Sequence, residues 1–164
     1  MRSLLLVLVV CAAAVGRAAA GPAPAAAPAR GQAQAQAQAQ SGEIAVDMAG
    51  FRNDKGVAAV ALFTSSAGFP DHPERAARRL ESVIKGGKAR AVFRGLPAGT
   101  YAVAVLHDED RDHRMKTGVF GIPREGYGAS RDARGRFGPP KFDSARLALR
   151  AGQALRAPIQ ITYP

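Results

Sequence analysis

The sequence predicts an all-β protein, an antiparallel β-sandwich of about seven short strands. Short apolar runs recur from residue 43 onward, and several alternate with period two, as half-buried strands do. Polar and glycine-rich turns separate these runs, and the sequence contains no sustained amphipathic helical pattern. Many short strands without long helices are typical of two packed sheets.

The first 42 residues differ in composition from the rest of the chain. Residues 1–20 combine an early positive charge, an apolar run over residues 4–15 and three alanines before Gly21, which is typical of a cleaved secretory signal peptide. That run is shorter than the roughly 20 residues that span a membrane. Residues 21–42 are rich in Ala, Pro and Gln and offer no large apolar side chain to bury, so we predict a disordered linker. The sandwich domain is then expected over residues 43–164.

The cysteine content and the charge limit the kinds of site and of partner that the domain can have. The only cysteine, Cys11, lies in the predicted leader, so the remainder can form neither a disulfide framework nor a thiolate zinc site. A retained anchor, or a lipoprotein anchored at Cys11, is the alternative interpretation of the leader. The formal net charge is +10, and residues from 41 onward carry 20 basic and 13 acidic side chains. We expect a monomeric, periplasmic or secreted domain without a transmembrane span in the mature protein.

The first half of the domain contains four predicted strands. The alternation over residues 43–49 and the apolar run over residues 57–63 predict two strands that form a hairpin about a polar turn. Residues 74–84 fit either a helix or the approach to a second hairpin. We predict a short helical turn over residues 74–79, followed by hairpin strands near 80–85 and 89–94 about two glycines.

The second half contains the clearest strand, over residues 101–107, where apolar residues occupy both faces in alternation. A Pro-Ala-Gly turn precedes this strand. Residues 145–149 and 158–163 predict the last two strands, joined by a turn at Ala151 and Gly152. Pro158 cannot donate a backbone hydrogen bond, so it belongs at the start or the edge of its strand.

Three phrases carry a family resemblance: GLPAGTYAVAVLHDED, GIPREGYGAS and ARGRFGPPKFDSA. Together they resemble the domain-of-unknown-function family 2141, and the resemblance covers about residues 43–164. It implies a small exported bacterial protein with a β-sandwich fold, and no established activity comes with it. The GLPAGTY turn alone is similar to transthyretin-like and carboxypeptidase-regulatory-like sandwich modules, which supports a transthyretin-like or Ig-like architecture without indicating a function.

The stretch from His107 to Pro140, called the 107–140 segment below, is too long and too charged for a simple turn. Between Arg111 and Lys141 it contains eight basic and three acidic residues. Loops of this size are usually functional, so we expect the segment to carry the function of the protein.

Asp108, Asp110 and Asp112 follow the clearest strand directly and form the pattern D-x-D-x-D. Alternate carboxylates in a loop can bind a hard cation such as calcium, which makes these three residues the candidate metal ligands. No other cofactor is predicted.

Other residues of the loop weaken that candidate site. The resemblance implies a pattern similar to D-E-N-x-N-G-K-x-D, but here His113 replaces the turn glycine and Lys116 replaces the later aspartate. Val119 occupies the twelfth position, where an EF-hand has a bidentate glutamate. The alternative is a polar loop whose aspartates are neutralised by Arg111, Arg114 and Lys116.

Seven residues of the segment are candidates for contact with a partner. They are His107, Arg124, Glu125, Tyr127, Arg131, Arg134 and Arg136. The glycines that flank Tyr127 could form a backbone cradle for an anion beside Arg124 and Arg131, or they could serve only the turn that packs the tyrosine. His107 could act as a base or a ligand, or it could be a structural donor that fixes the loop.

Three hypotheses about function follow from these observations. The preferred one is a non-catalytic exported module that presents the 107–140 segment to an unknown envelope or extracellular partner, or to an anionic ligand. The second is a calcium-type binding sandwich, and the third is a transthyretin-like hydrolase that uses His107. The export signal argues against nucleic acid and favours anionic glycans, lipid headgroups or an acidic protein as partner. A solvated basic surface with no partner is the remaining alternative.

Overall fold

Eight β-strands form the framework of the protein in residues 41–118, 123–136 and 138–164, which the computed structural model describes. They are β1 (Gly42–Ala49), β2 (Val57–Phe63), β3 (Arg78–Ser82), β4 (Lys88–Leu96), β5 (Gly99–Asp108), β6 (Tyr127–Ala129), β7 (Leu147–Leu149) and β8 (Ala154–Gln160). Two 3₁₀ turns cover Pro73–Arg75 and Ser130–Asp132, and one helical turn, α1, covers Phe142–Ala145. No helix in these ranges combines the length and the apolarity needed to cross a membrane. The predicted signal peptide, residues 21–40 of the predicted linker and Val119 lie outside the described residues.

The strands form two sheets that pack face to face. The smaller sheet has the strand order β4-β1-β8, and the larger has the order β3-β2-β5-β6 with β7 paired to the first part of β5. The pairings are antiparallel except for β1 with β8, which run parallel from Glu43 opposite Ala154 to Ala49 opposite Gln160. The predicted all-β sandwich is therefore confirmed, with one parallel pair that the sequence pattern did not indicate.

Both predicted hairpins are wrong, because the strands on either side of each turn lie in opposite sheets. The inward-facing residues of β1 and of β2, such as Val46 and Val60, belong to one buried cluster. These two strands therefore face each other across the core and do not pair edge to edge. Between β3 and β4, a single bridge of Lys85 with Lys88 closes the turn locally. The predicted helical turn shortens to Pro73–Arg75 because β3 already begins at Arg78.

A second, smaller layer covers the outer face of the larger sheet. Phe63 of β2 contacts Phe69 edge to face at 5.3 Å, and Phe69 contacts Phe142 of α1 in the same way at 5.8 Å between ring centroids. Ala145 of α1 is fully buried against Ala102 of β5. Because aromatic pairs in this geometry stabilise beyond their buried area, α1 and the β2–β3 connection are fixed on the sheet.

The described parts of the 107–140 segment include a strand of the larger sheet, so the segment is not one continuous loop. The chain leaves the larger sheet after Asp108 and returns to it at β6, where Tyr127 lies opposite Leu106 and Ala129 lies opposite Ala104 of β5. The sequence did not predict β6, because three residues are too few to show the alternation of a strand. The function of the segment must therefore be sought on two loops, one before β6 and one after it.

Asp54 joins the β1–β2 connection to the tight turn before β4. Its carboxylate accepts the backbone N–H groups of Gly86 at 2.7 Å and Gly87 at 2.9 Å, and both glycines have left-handed φ values, 59° and 71°. The hydrogen bond from Gly87, then that from Gly86, lowers the pKa of Asp54 below its ordinary value of 3.8. The ionised form is thus the form that the fold prefers.

Replacing Asp54 with Asn should lower the free energy of unfolding at neutral pH, because an amide oxygen is a weaker acceptor than a carboxylate. Since the folded-state pKa of Asp54 is depressed, its contribution is present above pH 3.8 and is lost as the pH falls through the folded-state value. Urea unfolding of wild type and variant across this range should show a difference that narrows in acid. A difference that stays constant with pH would contradict the assignment.

Candidate functional site

The loop after β5 is organised by the carboxylate of Asp108, which is fully buried. Its Oδ1 accepts the backbone N–H of Asp112 at 3.2 Å, and its Oδ2 accepts the backbone N–H of His113 at 2.9 Å. Arg111 and His113 adopt left-handed φ values of 64° and 59°. Asp108 therefore folds the next five residues back over the end of the strand.

Glu125 closes the same loop from its other end and is only 2% exposed. Its Oε1 accepts the backbone N–H of Glu109 at 3.2 Å, and its Oε2 accepts that of Lys116 at 3.0 Å. The two carboxylate oxygens thus accept backbone N–H groups that would otherwise donate to water. Glu125 was predicted as a residue of the binding surface, and its structural bonds explain its burial.

Three carboxylates converge at this end of β5, but they are not the predicted three. Asp108, Asp110 and Glu125 each offer one oxygen, and these oxygens lie within 4.8 Å of one another. Asp112 lies outside this group because its Oδ1 accepts the backbone N–H of Arg114 at 2.8 Å and closes a local turn. Of the candidate ligands Asp108, Asp110 and Asp112, the structure brings the first two together and adds Glu125. No spacing rule connects Glu125 to the aspartates, so the sequence alone could not have placed it there.

The cluster also contains a positive charge of its own. The ammonium group of Lys116 forms an ion pair with Asp110, and this contact lowers the pKa of Asp110 and raises that of Lys116. His113 Nδ1 lies 3.4 Å from Asp108 Oδ2. Of the three predicted neutralising residues, Lys116 forms an ion pair with one carboxylate of the cluster, while Arg111 donates to the carbonyl of Gly56.

His107 is fully buried, and both of its ring nitrogens have partners. Nε2 lies 2.9 Å from the carbonyl oxygen of Lys55, and Nδ1 lies 2.6 Å from the hydroxyl of Tyr163. Because a carbonyl only accepts, Nε2 carries a hydrogen and donates it to Lys55. His107 thus makes the kind of loop-fixing hydrogen bond that the structural alternative predicts, and both of its ring nitrogens have partners within the fold.

The glycines around Tyr127 serve packing and do not form an anion cradle. A Cβ on Gly126 would lie 2.5 Å from the ring of Tyr163, and one on Gly128 would lie 2.6 Å from Ile159. The N–H of Tyr127 donates to the carbonyl of Thr162 at 3.0 Å. The backbone donor that an anion would need at this tyrosine is occupied.

After β6, two polar side chains attach the chain to the sandwich. The hydroxyl of Ser130 accepts the backbone N–H of Val103 at 3.0 Å and donates to the carbonyl of Ala145 at 2.5 Å. Asp132 Oδ1 accepts the backbone N–H of Gln160 in β8 at 2.8 Å. Arg131 between them is exposed and has a left-handed φ of 62°. Its position is thus fixed from both sides.

The loop that follows forms an open depression of about 490 Å³. Arg134, Arg136 and Lys141 line it together with Asp143 and Ser144, and Arg131 lies just before it in the chain. Asp143 already faces Arg146 at 3.6 Å. Among the described residues, no carboxylate lies at ion-pair distance from any of the four basic residues of this loop, which are Arg131, Arg134, Arg136 and Lys141.

The predicted binding residues therefore lie in two places. Arg124, Glu125 and Tyr127 belong to the acidic end of β5 and the start of β6, with Arg124 exposed. The depression lies by α1, which packs on Ala102, six positions before Asp108 along β5. At about 3.4 Å per residue, that separation is roughly 20 Å.

Comparison with known proteins settles the family. A family model described as an uncharacterized protein conserved in bacteria (DUF2141) matches residues 46–156. The chain belongs to this family. The match runs from β1 into β8, so it includes both parts of the 107–140 segment, and the predicted membership is confirmed. No curated protein and no solved structure matches this DUF2141 chain.

Replacing Glu125 with Gln should destabilise this DUF2141 protein, because one carboxylate oxygen becomes an NH₂ group facing a backbone N–H. The expected loss is about 1–3 kcal/mol, the usual effect of an unsatisfied buried donor. Asp112→Asn is the matched control, since an exposed Asn keeps the acceptor for Arg114. Urea unfolding measures both, and equal losses would show that burial of Glu125 has no special role.

Proposed function

We propose that this DUF2141 protein is an exported, non-catalytic binding module whose basic loop after β6 contacts an anionic partner of the cell envelope. The observation that carries the proposal is the group of four cations, Arg131, Arg134, Arg136 and Lys141, that have no carboxylate partner in the described part of the chain. Paired surface charges are largely satisfied within the protein, whereas unpaired cations keep their full attraction for an external anion.

The fixed position of the loop supports this function. Ser130 and Asp132 bind the backbone of two different strands on either side of Arg131. A non-glycine residue with a left-handed φ costs free energy, and such strain is concentrated at functional sites. Holding Arg131 in place also reduces the conformational entropy that binding would otherwise remove.

A non-catalytic role is supported by the hydrogen bonds of the side chains that could have acted as a base or a nucleophile. Both nitrogens of His107 and the hydroxyl of Ser130 are used within the fold. The sequence contains no G-x-S-x-G motif. The export part of the proposal is supported by the composition of residues 1–20.

The proposal is tested with isolated cell envelopes and two triple variants of equal charge. Arg131→Gln, Arg134→Gln and Arg136→Gln together should weaken association roughly tenfold, since three contacts of about 0.5 kcal/mol each are lost. The control replaces Lys55, Lys85 and Lys88 with Gln; these lysines are also exposed and lie at the turns before β2 and β4. Co-sedimentation at several salt concentrations gives the affinities. Equal weakening by both triple variants, or recovery of the native protein in the cytosol with an uncut leader, would refute the proposal.

A second candidate function is the binding of a divalent cation by Asp108, Asp110 and Glu125. The convergence of their oxygens within 4.8 Å favours it, and carboxylate oxygens are the ligands that calcium prefers. The ammonium of Lys116 competes for the same charge.

If this candidate is correct, millimolar calcium raises the melting temperature, Lys116→Gln increases the shift and Asp110→Asn abolishes it. Differential scanning calorimetry with calcium and with magnesium measures these shifts. No shift in the wild type and none in Lys116→Gln would eliminate cation binding and leave the cluster as a structural clamp.

A further inference from the structure

The shape of the depression after β6 depends on one close backbone approach. A Cβ on Gly135 would lie 2.5 Å from the carbonyl oxygen of Pro139 and still nearer to that of Gly138. Only glycine therefore allows the two arms of this loop to touch. The approach places Arg134 and Arg136 on either side of Gly135, with Lys141 on the same depression.

We propose that this depression is a subsite for an acidic polysaccharide, a sugar chain that carries carboxylate or sulfate groups. The inference rests on the proposed function and names the chemistry of its partner. Arg134 and Arg136 would each bind an oxyanion through the planar guanidinium fork, and Lys141 would bind as a point charge.

The spacing of the charges favours a chain over a single small anion. The three cations line one depression of about 490 Å³ that is open to solvent and is not an enclosed pocket. This volume lies within the range of ordinary ligand sites. Anionic groups that repeat along a chain can meet separated cations at the same time, which increases the overall affinity.

The remaining lining fits sugar rings. Pro139 and the backbone of Gly138 present carbon surface to the depression. The hydroxyl of Ser144 donates to the carbonyl of Lys141 at 2.7 Å, so its oxygen remains free to accept a sugar hydroxyl. Asp143, the acidic residue of the lining, is offset by Arg146 at 3.6 Å.

The test uses the purified full-length chain and isothermal titration calorimetry with polygalacturonate, dextran sulfate and neutral dextran. We expect binding to the two anionic chains and none to neutral dextran. Arg134→Gln with Arg136→Gln should weaken binding roughly tenfold or more, as the loss of two charge-assisted contacts predicts. Lys85→Gln with Lys88→Gln, the matched control at the turn before β4, should reproduce the wild-type affinity.

Gly135→Ala separates a formed subsite from general electrostatics, because it changes no charge. Its Cβ forces the loop apart, so it should weaken polygalacturonate binding while the far-ultraviolet spectrum and melting curve show a folded sandwich. An unchanged affinity in Gly135→Ala, together with equal losses in the two double variants, would overturn the proposal.

Two further probes distinguish the failure of this inference from the failure of the proposed function. Poly-L-glutamate or phosphatidylglycerol vesicles that bind more tightly than polygalacturonate would reject the polysaccharide while leaving an anionic envelope partner in place. Absence of binding to every anionic probe and to isolated envelopes would reject both.

Discussion

The course of the 107–140 segment depends on hydrogen bonds between buried polar side chains and backbone N–H groups. A buried carboxylate without donors is costly, and so is a loop N–H removed from water. In this chain each satisfies the other: Asp108 and Glu125 together accept four backbone N–H groups of one loop. After β6, the buried Ser130 accepts a backbone N–H of β5, and the exposed Asp132 accepts one of β8. These hydrogen bonds hold the described loops before and after β6 in place without a covalent cross-link.

Local patterns predicted the strands but not their partners. The period-two alternation identified β1 and β5, because each strand has one face in the core and such a face is visible in the sequence. The pairing of β1 with β2 was mispredicted, because two successive strands bury their apolar faces equally well as neighbours in one sheet or as members of two facing sheets. The strand β6 was not predicted because three residues, one of them Gly128, carry no periodic signal. Its position follows only from tertiary bonds, such as the one from Tyr127 N–H to Thr162.

The candidate site shows the same division between composition and geometry. The residue types that matter, aspartate, glutamate and arginine, were all recognisable in the sequence as one charged stretch. Their separation into two places was not, because it results from β6 running back along β5 from Leu106 toward Ala104. Glu125 joined the carboxylate cluster through that return. Asp112 is not part of the cluster, and its carboxylate accepts the backbone N–H of Arg114 within its own turn.

This separation has a consequence for charge that composition alone would hide. Had the acidic and basic loops met, the arginines after β6 would have been neutralised within the protein, and the net charge of the segment would say little about partners. Within the acidic cluster, Lys116 pairs with Asp110, one of the three carboxylates. Arg134 and Arg136 instead line the depression beside α1. Because the acidic and basic loops do not meet, Arg131, Arg134 and Arg136 have no carboxylate partner among the described residues and can attract an external anion.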